Sequence, residues 1–370
     1  MSADVAVEHI GEGSRQVGRL TLDAPKTLNS LTMDMVDLLA AQLLAWRDDE
    51  GIAAVFIEGA GEKAFCAGGD VQALRNSSLA SPGGPCEYAE NFFAREYRMN
   101  YLLHTYPKPI ICWGHGVVMG GGLGVLAACS HRVVSERTRI GMPEVTIALF
   151  PDVGGSWFLN RMPGHVGRFL ALTAANINAT DALFCGLGSH FLGNDQREAV
   201  LASLARQNWR NDGADNHELV NQCLAAIPAS MEQPPAQVEP ALATINTLMA
   251  GDDLAIIVDR VAAYEGDNAW LAKAKAGLLH GSSLAACWIF QQLNDTKNAS
   301  LEQVFQSELR LGTNILRYPE FAEGVRALLV DKDRNPRWAF PDVRAVPESL
   351  LAQFFEEPTE AAVLNLPESV

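Results

Sequence analysis

The sequence predicts an α/β core followed by a helical carboxyl-terminal region. Up to about residue 200, short apolar segments alternate with longer segments whose apolar residues recur at helical spacing. Beyond that point the spacing is helical, and polar or Pro-rich linkers such as 233–235 and 331–336 separate the helices. Strands that alternate with helices, followed by a run of helices, indicate an α/β core at 1–200 and a helical region at 201–370.

A strand, a helix and a second strand are predicted first. The strand at 17–23 ends before Pro25, which has no N–H group to donate to a neighbouring strand. Thr32 is a typical cap for a helix that runs to about Trp46, because apolar side chains recur there every three or four residues. The apolar segment IAAVFIE at 52–58 predicts a buried strand.

The alternation of strands and helices continues to about residue 135. Turns rich in Gly or Pro separate the apolar segments and favour a change of chain direction. In order, we expect a tight turn at 65–70, an amphipathic helix at 87–104, a strand at 110–113, a glycine-dense turn at 114–124, a helix that ends near Cys129 and a strand at 131–135.

Length and composition limit the class of protein. The 370 residues include 48% apolar residues, which can fill a sizeable core, and 19% charged residues. The net charge of −16 argues against a nucleic-acid partner, because proteins that bind phosphate backbones usually carry a basic face. The seven cysteines are odd in number and form no CxxC pair, so neither a disulfide framework nor a metal site is expected.

The amino-terminal stretch and the apolar segments suggest a cellular location. The first sixteen residues lack the charged start and apolar run of a signal peptide, and they are too acidic for a transit peptide. No stretch reaches the roughly 18 uninterrupted apolar residues of a membrane span. We therefore expect a soluble, cytoplasmic protein without a membrane partner.

A glycine-rich stretch follows the strand at 110–113. It reads GHGVVMGGGLG from Gly114 to Gly124, and such a turn lets backbone N–H groups approach a ligand at the start of a helix. The GxGxxG fingerprint of dinucleotide-binding proteins does not fit, because Met119 stands where the third glycine belongs. Taken alone, the stretch indicates either a binding loop or close packing.

Two further segments add candidate residues. In KAFCAGGD, two glycines precede Asp70 and could present another N–H group, although Asp70 could equally cap a helix. In MPEVTIALFPDVGG, Glu144 and Asp152 each follow a proline, and each could belong to an ordinary turn. Two acidic residues downstream of two loops suited to anions indicate an active site more strongly than either residue alone.

These three segments, in this order, resemble the enoyl-CoA hydratase/isomerase (crotonase) superfamily from the first strand to about residue 165. The resemblance implies the crotonase spiral, in which repeated ββα units form two packed sheets surrounded by helices. It implies an acyl-CoA substrate, with coenzyme A as part of the substrate rather than a cofactor, and a possible homo-oligomer. It also implies an oxyanion hole formed by the backbone N–H groups of Gly69 and Gly121. The implied substrate-binding residues beside it are Ala67, Gly68, Asp70 and Gly120.

Two positions distinguish activities within the superfamily. Hydratases resemble the pattern GGGxE, and Gly124 stands at the position of that glutamate, whereas the second hydratase glutamate aligns with Glu144. Asp152 stands where hydratases usually have glycine. This combination resembles the 3-hydroxyisobutyryl-CoA hydrolases of valine breakdown, as do the segment Arg95-Glu96-Tyr97 and the stretch 321–338.

The resemblance to these hydrolases implies cleavage of a short β-hydroxyacyl-CoA thioester. Glu144 would act as nucleophile or general base, Asp152 would orient the substrate hydroxyl or assist hydrolysis, and Glu96 would contact the substrate. A hydratase or isomerase on the same scaffold is an alternative, against which Gly124 argues. A non-catalytic CoA-binding protein is a second alternative, against which the three carboxylates argue.

Overall fold

Nine strands in two sheets form the centre of the molecule in the computed structural model, which describes residues 4–366. The strands are β1 (Val5–Ile10), β2 (Gln16–Leu22), β3 (Ile52–Gly59), β4 (Ala64–Cys66), β5 (Ile110–Gly114), β6 (Val117–Met119), β7 (His131–Val134), β8 (Arg139–Gly141) and β9 (His190–Phe191). The larger sheet has the order β1-β2-β3-β5-β7-β9 and the smaller sheet has the order β4-β6-β8. Only β1 and β2 pair antiparallel among these strands.

From β3 onward, successive strands enter the two sheets alternately. β3, β5 and β7 belong to the larger sheet, whereas β4, β6 and β8, which directly follow them, belong to the smaller one. A helical segment follows each of these pairs. This repetition is the ββα spiral that the sequence predicts, and the predicted α/β fold class is confirmed.

Sixteen α-helices surround the sheets within the described residues. They are α1 (Met33–Arg47), α2 (Val71–Ala80), α3 (Glu87–His104), α4 (Gly121–Ala128), α5 (Gly155–Leu159), α6 (Val166–Thr173), α7 (Ala179–Phe184), α8 (Arg197–Ala205), α9 (Gly213–Ala225), α10 (Val238–Leu248), α11 (Leu254–Ala262), α12 (Ala269–His280), α13 (Ser283–Asp295), α14 (Leu301–Leu316), α15 (Pro319–Val325) and α16 (Glu348–Gln353). Thr32 caps α1 as predicted, accepting a hydrogen bond of 3.2 Å from the Met35 N–H. In the part of the chain that the structure describes, none of the helices is both long and apolar enough to cross a membrane.

The larger sheet is buried on both faces. Along β3, Val55 and Ile57 belong to one apolar cluster, whereas Ala54 and Phe56 belong to a second cluster that α8 and α9 cover. Since successive side chains of a strand point to opposite faces, both faces of β3 pack against apolar layers. The apolar segment at 52–58 is therefore a buried strand, as predicted.

Helices beyond residue 200 pack against the α/β core. α14 lies against α3, and α15 lies against α2. The larger apolar cluster contains side chains from both parts of the chain, for example Phe93 and Phe305. The division into units at 1–200 and 201–370 stays a prediction, and the contacts of α14 and α15 bring them close to the cavity described below.

Candidate active site

A cavity of about 870 Å³ opens between α2, α3, the start of α4 and the segment that follows α15. All nine site residues that the sequence predicts line this cavity. They are Ala67, Gly68, Gly69, Asp70, Glu96, Gly120, Gly121, Glu144 and Asp152. Among the described residues that form its wall, the charged side chains are all acidic. The roles that the sequence predicts for the nine residues stay predictions, but their convergence gives the molecule one candidate site.

The loop at 67–70 is held by the segment that precedes α1. The Ala67 N–H donates to the Leu28 carbonyl (3.0 Å), and the Leu31 N–H donates to the Gly68 carbonyl (2.8 Å). Gly68 has a φ of +106°, which L side chains rarely adopt, so the turn requires glycine there. Asp70 lines the cavity, but its carboxylate also accepts a hydrogen bond from the Ala73 N–H (3.1 Å) and caps α2.

Sequence reasoning missed Asn29, which fixes the chain beside this loop. Its side chain is fully buried, and its amide nitrogen donates to the carbonyls of Ala64 (3.0 Å) and Phe65 (3.2 Å) in β4. Asn29 also has a φ of +56°, a conformation that asparagine tolerates better than most residues. An asparagine in a short segment before a predicted helix was the available signal, but its partners lie 35 and 36 residues away.

The glycine-rich turn at 114–124 both permits close packing and lines the cavity, the two alternatives that the sequence left open. At Gly122, a Cβ atom would lie 2.7 Å from the Cβ of Cys66, so this glycine permits close packing. At Gly121, a Cβ atom would collide with Oε1 of Glu96, and at Gly120 it would lie 3.1 Å from Oε1 of Glu144. Gly120 and Gly121 therefore bring the backbone directly against two carboxyl groups.

The backbone N–H groups of Gly69 and Gly121 lie close together at the cavity wall. A Cβ atom on Gly121 would be 3.4 Å from the nitrogen of Gly69. Gly121 is the first residue of α4, where an N–H group has no acceptor within its own helix. Within residues 4–366, neither N–H group donates to a backbone carbonyl in a turn, loop or cap. Such a pair of donors can bind one carbonyl oxygen.

Three buried carboxyl groups line the same cavity as these donors. Glu96 comes from α3, Glu144 begins a 3-10 turn (Glu144–Ile147), and Asp152 precedes α5; their exposed fractions are 2%, 4% and 5%. The Tyr97 hydroxyl donates to Oδ2 of Asp152 over 2.8 Å, which fixes one oxygen of that carboxylate. Across the described chain, no group of three or more His, Cys, Asp or Glu side chains is placed to hold a metal ion.

Burial raises the pKa of all three carboxyl groups. The pKa of Glu144 lies well above its ordinary value because of burial and the nearby charge of Asp152, and that of Glu96 is raised by burial and by both neighbours. Burial also raises the pKa of Asp152, to about 6, although the hydrogen bond from Tyr97 opposes the shift. Each raised pKa favours the protonated form of its carboxyl group, and the nearby charge of Asp152 adds to this effect for Glu96 and Glu144. A cluster of carboxyl groups with raised pKa values is suited to general acid and base chemistry.

The position of the first hydratase glutamate is closed. A Cβ atom on Gly124 would lie 2.5 Å from the Cβ of Val153, which is fully buried. Val153 has a φ of +54°, an outlying conformation for a β-branched residue. A glutamate at 124 could enter only if the turn that carries Asp152 moved.

The carboxyl-terminal region contributes to the wall of the cavity. Leu328 and Leu329 line it from a π-helical turn (Arg326–Val330) after α15. The Arg326 guanidinium fixes this turn through ion pairs with Glu323 (2.8 Å) and Asp333 (2.7 Å). The sequence resemblance covered this stretch as a signature, but it gave no reason to place the two leucines at the site.

Two glycine loops with paired backbone donors, carried by a ββα spiral, define the crotonase fold class. The chain belongs to the enoyl-CoA hydratase/isomerase family, whose sequence model matches residues 17–355. Among curated relatives, a 3-hydroxyisobutyryl-CoA hydrolase, mitochondrial, from Danio rerio is 33% identical and covers 96% of this chain and 91% of its own length. The protein of the same name from Bos taurus is 32% identical over 95% of this chain and 89% of its own length. Among solved structures, a carnitinyl-CoA dehydratase from Mycobacterium thermoresistibile matches with a TM-score of 0.85 and 33% identity over 98% of both chains.

These relatives overturn the predicted cytoplasmic location. Both curated relatives are named mitochondrial, so the prediction is wrong by this comparison. The prediction rested on the composition of the first sixteen residues and on the lack of an apolar segment long enough for a membrane span.

Proposed function

We propose that this protein hydrolyses the thioester of a short β-hydroxyacyl-CoA, with 3-hydroxyisobutyryl-CoA, an intermediate of valine breakdown, as the substrate. The observation that carries the proposal is that Glu144 and Asp152 line the same cavity as the neighbouring N–H groups of Gly69 and Gly121. The names of the curated relatives support the same activity and the same acyl group.

The two backbone donors would act as the oxyanion hole. When a nucleophile attacks a thioester, the carbonyl oxygen gains negative charge, and donors already in place stabilise that charge without rearranging. Removing one donor from such a site typically costs roughly 10²–10³-fold in kcat. Both positions are suited to glycine, because a side chain at 69 would meet Phe92 and a side chain at 121 would meet Glu96.

Glu144 would start the reaction by one of two routes. Its carboxylate could attack the carbonyl carbon, so that the C–S bond breaks and a mixed anhydride forms, which water then cleaves. Alternatively, it could take a proton from a water molecule that attacks the carbonyl directly. In both routes the departing CoA thiolate needs a proton, and the raised pKa values let a neighbouring carboxyl group supply it.

Asp152 and Glu96 would contact the acyl group of the substrate. Asp152 would orient the hydroxyl of the acyl group or assist hydrolysis, and its second oxygen is available because Tyr97 occupies only Oδ2. Glu96 would contact the acyl group beside Gly121. The proposed chemistry uses no cofactor, since coenzyme A enters as part of the substrate. Assembly into a homo-oligomer stays a prediction.

A hydratase is the second candidate, favoured by the dehydratase title of the matching solved structure and by the match of Glu144 to a hydratase glutamate. The hydratase pattern GGGxE has a glutamate at the position of Gly124, and Val153 fills the space beside Gly124. The closed position therefore favours hydrolysis over hydration.

A panel of short acyl-CoAs tests the proposal. Thiol release measured with a chromogenic thiol reagent should be fastest for 3-hydroxyisobutyryl-CoA, and crotonyl-CoA should not be hydrated at a comparable rate. Glu144→Gln, which keeps the shape of the side chain, is the matched control for background hydrolysis. Efficient hydration of crotonyl-CoA without thiol release would instead identify a hydratase, and CoA binding without any turnover would indicate a binding protein.

A further inference from the structure

The turn that carries Asp152 has an unusual backbone. Val153 and Gly154 have φ values of +54° and +82°, both in the left-handed region. This conformation is unfavourable for a β-branched residue and persists only where surrounding contacts impose it. The turn therefore needs a partner that holds its backbone.

A buried carboxylate from the carboxyl-terminal helices contacts this turn. Glu308, on α14, has no exposed surface, and its Oε2 accepts a hydrogen bond from the Gly154 N–H (2.7 Å). Its Oε1 accepts from the Ser156 N–H (2.9 Å), so one carboxylate joins both sides of Gly155. The partners lie 154 and 152 residues away in the chain, and the contact is a tertiary one.

Burying Glu308 is costly for the fold. Burial raises its pKa to about 8, and the charge of Asp152 adds to the shift, whereas the hydrogen bonds from Gly154 and Ser156 lower the pKa. No ion pair with Arg, Lys or His involves Glu308 among the salt bridges of the described residues. A carboxyl group at the surface could accept the same two hydrogen bonds with less desolvation.

Two contacts thus fix Asp152 from opposite ends. The Tyr97 hydroxyl holds the carboxylate, and Glu308 holds the backbone that follows it. Phe305 packs on the same turn, where a Cβ atom on Gly154 would lie 3.2 Å from its ring. We infer that Glu308 is a positioning residue of the reaction, which holds the Val153–Gly154 turn so that Asp152 faces the substrate. This inference rests on the proposed function of Asp152.

Glu308→Gln tests the inference with the least change of shape. The side-chain amide nitrogen of glutamine cannot accept a hydrogen bond. Either the Gly154 or the Ser156 N–H group would therefore lose its acceptor and face another donor. We expect kcat with 3-hydroxyisobutyryl-CoA to fall about 10–10²-fold, as for a small misplacement of a reacting group, while KM stays close to that of the wild type. Glu302→Gln, on the exposed face of the same helix, is the matched control and should leave kcat unchanged.

A double-variant cycle separates positioning from general stabilisation. If Glu308 acts through Asp152, Glu308→Gln should cost little further kcat in an Asp152→Asn background. Both single variants should also lose more activity on hydroxylated acyl groups than on plain ones. If Glu308 had a purely structural role, the kcat of the double variant would fall by the product of the two single-variant factors, and the loss would be the same for every acyl group. Either result would overturn the inference.

Glu308→Asp keeps the test decisive should Glu308→Gln fail to fold. It retains two acceptor oxygens on a side chain one methylene shorter, and its kcat should lie between those of the wild type and Glu308→Gln, with the same dependence on Asp152. Thiol release by the wild-type protein tests the proposed function independently, so its failure is distinguishable from a failure of the variant cycle. A Glu308→Asp variant whose kcat falls by the same factor in the wild-type and Asp152→Asn backgrounds would overturn the positioning role.

Discussion

Gly124→Ala is expected to disturb the turn that carries Asp152, because the two segments are in direct contact. The new Cβ atom would lie 2.5 Å from Cβ and 2.6 Å from Cγ2 of Val153, distances at which one group has to move. Val153 is fully buried and cannot rotate into open space. The displacement should therefore pass to the backbone of Val153 and to its neighbour Asp152.

The magnitude follows from two opposing effects. Overpacking a well-packed interior costs about 1–3 kcal/mol. Replacing glycine by Ala inside a helix gains about 1 kcal/mol, and residue 124 lies inside α4. We expect the clash to dominate, with a net loss of roughly 0–2 kcal/mol. In a Val153→Gly background the two side-chain contacts are gone and only the backbone carbonyl of residue 153 remains, 3.2 Å from the new Cβ atom, so the same change should become stabilising by up to about 1 kcal/mol.

Urea unfolding of the four proteins of this cycle measures the effect, and thiol release follows the consequence for the site. The coupling free energy between positions 124 and 153 should be about 1–3 kcal/mol, the cost of the clash. Gly124→Ala should also raise the activation free energy of the reaction, calculated from kcat, by more than it lowers the free energy of unfolding. Equal stabilisation by Gly124→Ala in both backgrounds would refute the argument that Val153 closes the hydratase position.

Further predictions concern the donors and carboxyl groups. Gly121→Pro removes one proposed donor and should lower kcat at least about 10²-fold, and Gly69→Pro should behave similarly; a folded variant with near-normal kcat would rule out the oxyanion hole. Glu144→Gln should lower turnover at least about 10²-fold in the thiol assay while CoA binding persists, and wild-type turnover would refute the mechanism. Asp152→Asn should be impaired most with hydroxylated acyl groups, as a comparison of acyl chains would reveal. Since a base must be deprotonated and the pKa of Glu144 is raised, kcat should rise with pH along a limb well above the ordinary Glu pKa of 4.5, and this limb should vanish in Glu144→Gln.

Local sequence patterns predicted the longer elements accurately. The amphipathic helix at 87–104 is α3, and the strand at 131–135 is β7 with one residue fewer. The strands of the smaller sheet were missed because β4, β6 and β8 have only three residues each, too few for an alternating pattern to emerge. β1 was also missed, since most of its side chains are at least partly exposed and its apolar signal is weak.

Some residues of the candidate site belong to sequence motifs that can be recognised locally, whereas others reach the site only through tertiary packing. Gly69, Gly121 and Glu144 belong to short segments whose order along the chain carries the resemblance, so the sequence placed them together. Glu308 gave no such signal, because a glutamate in the segment QSELRL is indistinguishable from a residue on a solvated helix face. Its partners are two N–H groups about 150 residues earlier, and only the packing of α14 against the core brings them within reach.

The carboxyl-terminal helices therefore contribute contacts to the candidate site that the loops of the spiral do not make themselves. The spiral presents the N–H groups and the carboxyl groups, but a turn with two left-handed residues in succession does not hold its own shape. Glu308, on α14, accepts hydrogen bonds from that turn, and Leu328 and Leu329 line the cavity on another side. Changes at Glu308 should therefore lower kcat through the turn that follows Asp152, whereas changes at Leu328 and Leu329, which line the cavity, should alter the acyl preference of the site. Variants of Leu328 that widen the wall would then accept longer acyl groups while kcat for the short substrate stays nearly constant.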